Sequence, residues 1–318
     1  MSIIEQATKR LEELRRAGIE IPPMTSEASA PNGGARLKRS DVDRPGSGAA
    51  VVSLSGQQVV ATHTPAAGKD TSASEAFAGS RYAEIDLDRL AAQGYLTPKG
   101  ARGPLEDEIR IIKMQIVRGL TAAAAVDQPA NVIVVSSAVP GEGKTFFSMN
   151  LAMSVAMGMD LSVVLVDADV LRPSVADRYG VPVGPGLLDL LTNPTLAIGD
   201  VLFRTNVPKL FFIQAGTPNP KSAELLAGNA AERLLTDLAS RFSDSLVIFD
   251  APPLLVSTEA RQLAANAGQV VVVIEADKTD ARLVSQAFGA LADCPVVSSV
   301  LNRCPGSPAG AGYGYYGV

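Results

Sequence analysis

The chain has 318 residues, 47% of them hydrophobic, and 28 Lys and Arg against 33 Asp and Glu give a formal net charge of −5. That is material for one large buried core, and the acidic balance argues against a general polyanion binder, so no nucleic-acid partner is expected. A lone histidine, His63, excludes a histidine triad or multi-histidine metal site, and two cysteines, Cys294 and Cys304, exclude a disulfide framework or four-thiolate zinc site.

Residues 2–17 bring Ile3, Ile4, Ala7, Leu11 and Leu14 to one face at helical spacing, predicting an amphipathic N-terminal helix over 1–17 that Gly18 ends. It either packs on its own domain or docks a partner. Glu5, Lys9 and Arg10 follow Ile3 and Ile4 at once, unlike a secretory leader. The sequence holds no window of about 18 continuous apolar residues, so no transmembrane helix is expected. The expectation is a cytoplasmic protein that a partner recruits to the inner face of a membrane. Residues 18–80 are rich in Pro, Gly, Ser, Thr and Ala, and read as a disordered low-complexity linker.

Around Asp86 to Tyr95 order is expected to resume, and Leu105–Ala123 reads as an amphipathic helix. Beyond Asn131, short β-branched runs alternate with helical segments. The strands are predicted at Val132–Ser136, Ser162–Val166, Leu210–Ile213, Leu246–Phe249, Val270–Ile274 and Val296–Leu301. Helices are predicted near Thr145–Met157, Ser222–Ala227, Ala231–Arg241, Thr258–Ala265 and Ala281–Leu291. Near-continuous apolar strands separated by helices imply an α/β fold over 81–303: a mostly parallel, doubly wound sheet with helices on both faces. Residues 304–318 carry no charged side chain, end in Tyr313, Tyr315 and Tyr316, and read as a flexible tail.

The run Ser136-Ser-Ala-Val-Pro-Gly-Glu-Gly-Lys-Thr145 follows the first of these strands and opens a helix. It fits the phosphate loop G-x-x-x-x-G-K-[ST], with Ala138 in place of the first glycine. Gly141 and Gly143 let main-chain N–H groups turn inward around a polyphosphate, and the helix N-terminus adds its positive end. Lys144 suits the β- and γ-phosphates and the Thr145 hydroxyl suits Mg²⁺. Gly141, Glu142, Gly143, Lys144, Thr145 and Phe146 are thus candidate nucleotide contacts. Asp167 and Asp169 close one apolar strand and Asp250 another, which aims all three at the carboxyl edge of the sheet where α/β ligands sit. Each alone suits a cap or turn; together with the loop they read as Mg²⁺ ligands and a base. MgATP is the expected ligand.

PGEGKT, VLVDADVLRP, AGTPNPKSAELL, VIFDAPP and the Tyr-rich end together resemble the bacterial protein-tyrosine autokinases. The resemblance is to their cytoplasmic, exopolysaccharide- and exosortase-associated type, within the P-loop NTPases of the Min/Par-like group. It implies a protein-tyrosine kinase fed by ATP and Mg²⁺. Lys144 then holds the phosphates, Thr145, Asp169 and Asp250 hold the metal, and Asp167 or Asp169 is the base. Asn302 resembles the position that reads the adenine edge, or is simply a turn residue. Asp107, Arg110 and Lys113 match the family's ring-assembly spacing with Asp for Glu, or form an ordinary charged face.

The same resemblance makes Tyr313, Tyr315 and Tyr316 acceptors for a neighbouring subunit in a homo-oligomeric ring. It implies regulation of exopolysaccharide biosynthesis or export, a membrane-embedded chain-length or co-polymerase adaptor, and a cognate tyrosine phosphatase. The alternative is a Min/Par-like partition or positioning ATPase; against it, Val139 occupies the place of the signature lysine. A regulatory subunit that binds nucleotide without turnover is the third reading.

Overall fold

Alternate residues along the central strands enter two different cores, one on each face of a single sheet. Val132, Val134, Val164, Val166, Val247 and Phe249 belong to one, whereas Ile133, Val135, Val163, Leu165, Leu246 and Ile248 belong to the other. A period of two with both faces covered makes the whole strand apolar, which is why these runs stand out in the sequence. The computed structural model describes residues 50–53, 77, 79–100, 103–123, 129–158 and 160–305. All of them fall in the unit that spans Pro45–Val318. The predicted N-terminal helix, most of the linker and the tyrosine tail lie outside the described residues.

In chain order, β1 (Ala50–Ser53) and β2 (Arg81–Ala83) precede α1 (Leu87–Ala92) and the long α2 (Pro104–Ala123). β3 (Val132–Ser137) feeds α3 (Lys144–Ala156), and β4 (Ser162–Asp167) runs into α4 (Val175–Tyr179), α5 (Leu187–Thr192) and α6 (Ile198–Val201). β5 (Leu202–Thr205), β6 (Leu210–Ile213), α7 (Ser222–Ala227) and α8 (Asn229–Arg241) lead to β7 (Ser245–Asp250). α9 (Thr258–Ala265), β8 (Gln269–Glu275), α10 (Ala281–Gly289) and β9 (Val297–Asn302) follow.

The described strands form one sheet in the order β1-β9-β8-β3-β7-β4-β6-β5-β2. Pairing is parallel except at β1 with β9 and β5 with β6, so the sheet is mostly parallel. β3 lies between β8 and β7, where the strand order reverses, and that reversal opens a crevice at the carboxyl ends. Asp167 pairs in register with Asp250, and Glu275 with Asn302, so these strand-ending side chains share one edge. On one face Ile109, Ile112 and Ile116 of α2 pack with Met149, Leu151 and Val155 of α3. On the other, Leu235 and Leu238 of α8 and Leu263 and Ala264 of α9 enter the same core, and both helices flank α7.

Composition predicts no element between residues 18 and 80, yet β1 lies there, with Ala50 opposite Leu301. Val51 and Val52 supply a β-branched pair inside a stretch of turn formers. β2, β5, α4, α5 and α6 run to six residues at most, too short for a period to register. Among the described residues, no helix is long and apolar enough to cross a membrane.

Candidate active site

The loop between β3 and α3 takes its shape from two left-handed glycines, Gly141 with φ 93° and Gly143 with φ 95°. At Gly143 the need for glycine is double, because an added Cβ would collide with the Asn302 amide nitrogen. Below the loop, Glu142 points into the protein and is 1% exposed. Its Oε2 accepts from the Val139 N–H at 2.7 Å and its Oε1 from the Thr279 hydroxyl at 2.5 Å. Its carbonyl accepts from Asn302 Nδ2 at 2.8 Å. The side chain of Glu142 is therefore a brace beneath the loop rather than a part of the cavity lining. Arg303 adds an outer clasp: its Nη1 donates to the Gly141 carbonyl at 3.1 Å and pairs with Glu275 Oε1 at 3.1 Å.

Lys144 opens α3 and its ammonium sits 2.6 Å from Asp169 Oδ2, both side chains nearly buried. Burial alone would lower the lysine pKa, but the charges of Asp250 and Asp169 outweigh it and raise the pKa. Asp167 Oδ2 accepts from the N–H groups of Ser174 and Val175, each at 3.0 Å. Its other oxygen is buried without a partner. Burial first, then the charge of Asp250, push the Asp167 carboxyl up to about 7. Asp250 is fully buried and its pKa is raised by burial, against the opposing effects of Lys144 and the Thr145 hydroxyl. The Ser148 hydroxyl lies 3.1 Å from Asp250 Oδ1, while Oδ2 has no partner.

The orphaned Asp250 oxygen beside the Thr145 hydroxyl, with the Asp169 carboxylate nearby, supplies hard oxygen donors of the kind that fit Mg²⁺. Among the described residues, no three Asp, Glu, His or Cys side chains converge into a metal cage. Mg²⁺ needs none: it keeps several waters and takes phosphate oxygens with one or two protein ligands.

A cavity of about 1490 Å³ runs across this edge. Lys144, Thr145, Phe146, Asp169 and Asn302 line one end. The other end is walled by α1, Gly94–Tyr95 and α4; order around Asp86–Tyr95 is expected from sequence, but its place in the site is not, and α4 is not foreseen at all. Tyr95 joins the two, its ring 5.0 Å from that of Phe146. Arg303, Glu275 and Thr279 were also not anticipated; the one local signal was an acidic residue closing a strand, Glu275, as Asp250 closes β7.

The α2 triad lies away from the cavity. Asp107 and Arg110 form an exposed pair one turn apart, 2.5 Å between Oδ1 and Nη2. Lys113 instead turns inward to donate to the Ser154 carbonyl at 2.8 Å. Ile111 and Met114 are the large apolar side chains exposed on this helix, at 48% and 52%.

No family model matches the chain. The tyrosine-protein kinase YwqD of Bacillus subtilis is 31% identical over 197 residues, 61% of this chain and 81% of its own length. EpsB of Ralstonia nicotianae, which carries a tyrosine-protein kinase name, is 34% identical over 173 residues, 54% of this chain. The match spans only 22% of EpsB, so the chain corresponds to about a fifth of that relative. Among solved structures, the VpsO kinase domain is 31% identical with a TM-score of 0.51, covering 60% of this chain and 98% of that one. The BceF tyrosine kinase domain is 26% identical with a TM-score of 0.54, covering 72% and 96%. With this fold, this loop and these relatives, the chain belongs to the bacterial protein-tyrosine kinase family.

Proposed function

We propose that the chain is an ATP-dependent protein-tyrosine autokinase that phosphorylates Tyr313, Tyr315 and Tyr316 of a neighbouring copy. One observation carries the reading: the orphaned oxygen of Asp167, buried two residues from the Asp169 that pairs with Lys144. A carboxylate whose pKa stands near 7 is a base matched to neutral pH, and a phenol with a pKa near 10 needs one close by.

In the proposed reaction the main-chain N–H groups of the phosphate loop cradle the nucleotide, and Lys144 leaves Asp169 to meet the β- and γ-phosphates. The tyrosine oxygen bonds to the γ-phosphorus, the bond from that phosphorus to the β-bridging oxygen breaks, ADP departs, and Asp167 takes the phenolic proton. Mg²⁺, when bound, supplies positive charge to the phosphates; Thr145, Asp169 and Asp250 would hold it, Asp169 once Lys144 has left it. Asn302 closes the far side of the loop, at the proposed adenine end. The exposed row of Asp107, Arg110, Ile111 and Met114 supports a role for α2 in subunit contact.

A role in exopolysaccharide biosynthesis or export, with a membrane-embedded adaptor as partner and recruitment to the membrane through it, belongs to the same proposal and rests on the motif resemblance. Incubating the pure protein with MgATP and locating phosphate by mass spectrometry tests the reading. Phosphate on the three tail tyrosines, lost in Lys144→Met and on deletion of residues 313–318, is the expected result. Phosphotyrosine that survives the deletion would sink the tail as acceptor. ATP hydrolysis without phosphoprotein would favour a partition-type ATPase, and neither activity would favour a regulator.

A further inference from the structure

The cavity is larger than one nucleotide requires, since ligand pockets run to about 300–1,000 Å³. Its far end is cationic. Arg178 on α4, Arg89 on α1 and Arg172 on the turn after β4 all line the cavity, as does Asp177, and the Arg172 N–H donates to Asp169 Oδ1 at 3.3 Å, so its turn reaches back to the phosphate-loop end. Arg89 approaches Asp177 at 4.0 Å, but that carboxylate is 84% exposed, and such a contact holds little energy. Arg178 Nη1 donates to the Tyr95 hydroxyl at 2.5 Å, and its Nε is buried without a partner. Burial keeps the Tyr95 hydroxyl above its usual pKa, against the pull of Arg178, so its acceptor is neutral and the arginine charge stays uncompensated. Lys144, by contrast, already has Asp169.

α4 connects this cationic end to the acids. The N–H groups of Ser174 and Val175 bind Asp167, and the Arg178 N–H binds the Ser174 carbonyl at 3.1 Å. Four residues of helix rise about 6 Å, which sets Arg178 one turn from the base. In an extended peptide, side chains two residues apart point the same way with a separation of about 7 Å. Tyr313 and Tyr315 have that spacing.

We propose that the arm formed by Arg178, Arg172 and Arg89 is a phosphotyrosine subsite: it holds one phosphorylated tyrosine of the acceptor while its neighbour two residues away meets Asp167. The proposal rests on the tyrosine-kinase reading and adds an order to it, because the first phosphate recruits the second acceptor. Planar guanidinium groups suit a phosphate dianion through paired hydrogen bonds.

Two peptides with the sequence of residues 309–318 test it, one unmodified and one phosphorylated at the second tyrosine, with binding to the full-length protein read by fluorescence anisotropy. The phosphopeptide is expected to bind about tenfold more tightly, in keeping with one to three new charge-assisted contacts. The preference should vanish in Arg178→Gln with Arg172→Gln and return in part in Arg178→Lys. Equal binding of the two peptides, or a preference that survives the double substitution, overturns the subsite. So does equal competition by inorganic phosphate or a phosphoserine peptide, which would make the arm a general anion site. With MgATP, the phosphopeptide should be modified at its first tyrosine with KM about tenfold lower and kcat unchanged. Arginine-dependent binding with no phosphorylation of either peptide would overturn the kinase reading and leave the subsite; phosphorylation of both with equal KM would do the reverse.

Discussion

The two ends of the cavity are built on opposite terms. At the phosphate-loop end, buried side chains fix the main chain from below: Glu142 ties Val139 to Thr279 and Asn302 holds the Glu142 carbonyl, while the exposed Arg303 clasps that of Gly141 from outside. At the far end α1 and α4 have six and five residues, and Arg89 and Arg172 are exposed. A rigid end suits a ligand whose charge must be met at fixed points, because preorganised donors need no rearrangement during reaction. A looser end suits a peptide that arrives from another molecule and must leave again.

The largest effect should come from Gly143→Ala, which meets both the left-handed φ of 95° and the Asn302 amide. Backbone strain of this kind costs about 1–3 kcal/mol. With the loop displaced, nucleotide affinity should fall by about a hundredfold, or ~3 kcal/mol. Gly141→Ala is the matched comparison: its φ of 93° is as unusual, but an added Cβ there meets nothing within 4 Å. Its loss should stay near tenfold, measured with a fluorescent ATP analogue. Equal losses at the two glycines would mean that Asn302 does not police the loop, and the contrast between the ends would weaken.

Next in size is Thr279→Val, which removes the hydroxyl that donates to buried Glu142. A hydrogen bond to a charged group is worth about 1.5–3 kcal/mol, and denaturant unfolding should show a loss in that range. Asn302→Ala removes another hydrogen bond to Glu142, so the double variant should depart from additivity by about 0.5 kcal/mol or more. Strict additivity would show that the contacts act separately rather than as one brace.

These contacts also mark the limit of what the sequence discloses. The phosphate loop, Asp167, Asp169 and Asp250 are legible because each signal is local: a glycine spacing, or an acid closing an apolar run. β3, β4, β7 and β8 are legible because both faces are buried, whereas the half-buried β9 shows only as a valine-rich run. Glu142 and Thr279 stand 137 residues apart, and no local pattern links a loop glutamate to a threonine after β8. α1 and α4 hide for a different reason: neither is long enough for a period, and they meet only through the fold. Lys113 shows that spacing alone misleads. It stands i+6 from Asp107 as a charged row requires, yet it bends back to Ser154.

The smallest effect is the one that reads the acids directly. Burial, then the charge of Asp250, hold the folded Asp167 carboxyl near 7, while the unfolded chain releases that proton near 3.8. Between those values the folded state keeps a proton that the unfolded state has lost. This contribution to stability is complete below about pH 4 and is lost as the pH rises through about 7. Asp167→Asn keeps an oxygen to accept from Ser174 and Val175 but cannot ionise. Without nucleotide, it should be more stable than the parent at pH 8 by about 5 °C in Tm, with the difference closing towards pH 4. Bound MgATP should narrow that gap, because Mg²⁺ at Asp169 and Asp250 would offset the two negative charges that push the Asp167 carboxyl up. A gap independent of pH would assign the effect to packing rather than charge. A parent protein more stable than Asp167→Asn at pH 8 would mean that Asp167 is already compensated as an anion, and the orphaned oxygen would then lose its meaning as a base awaiting a proton.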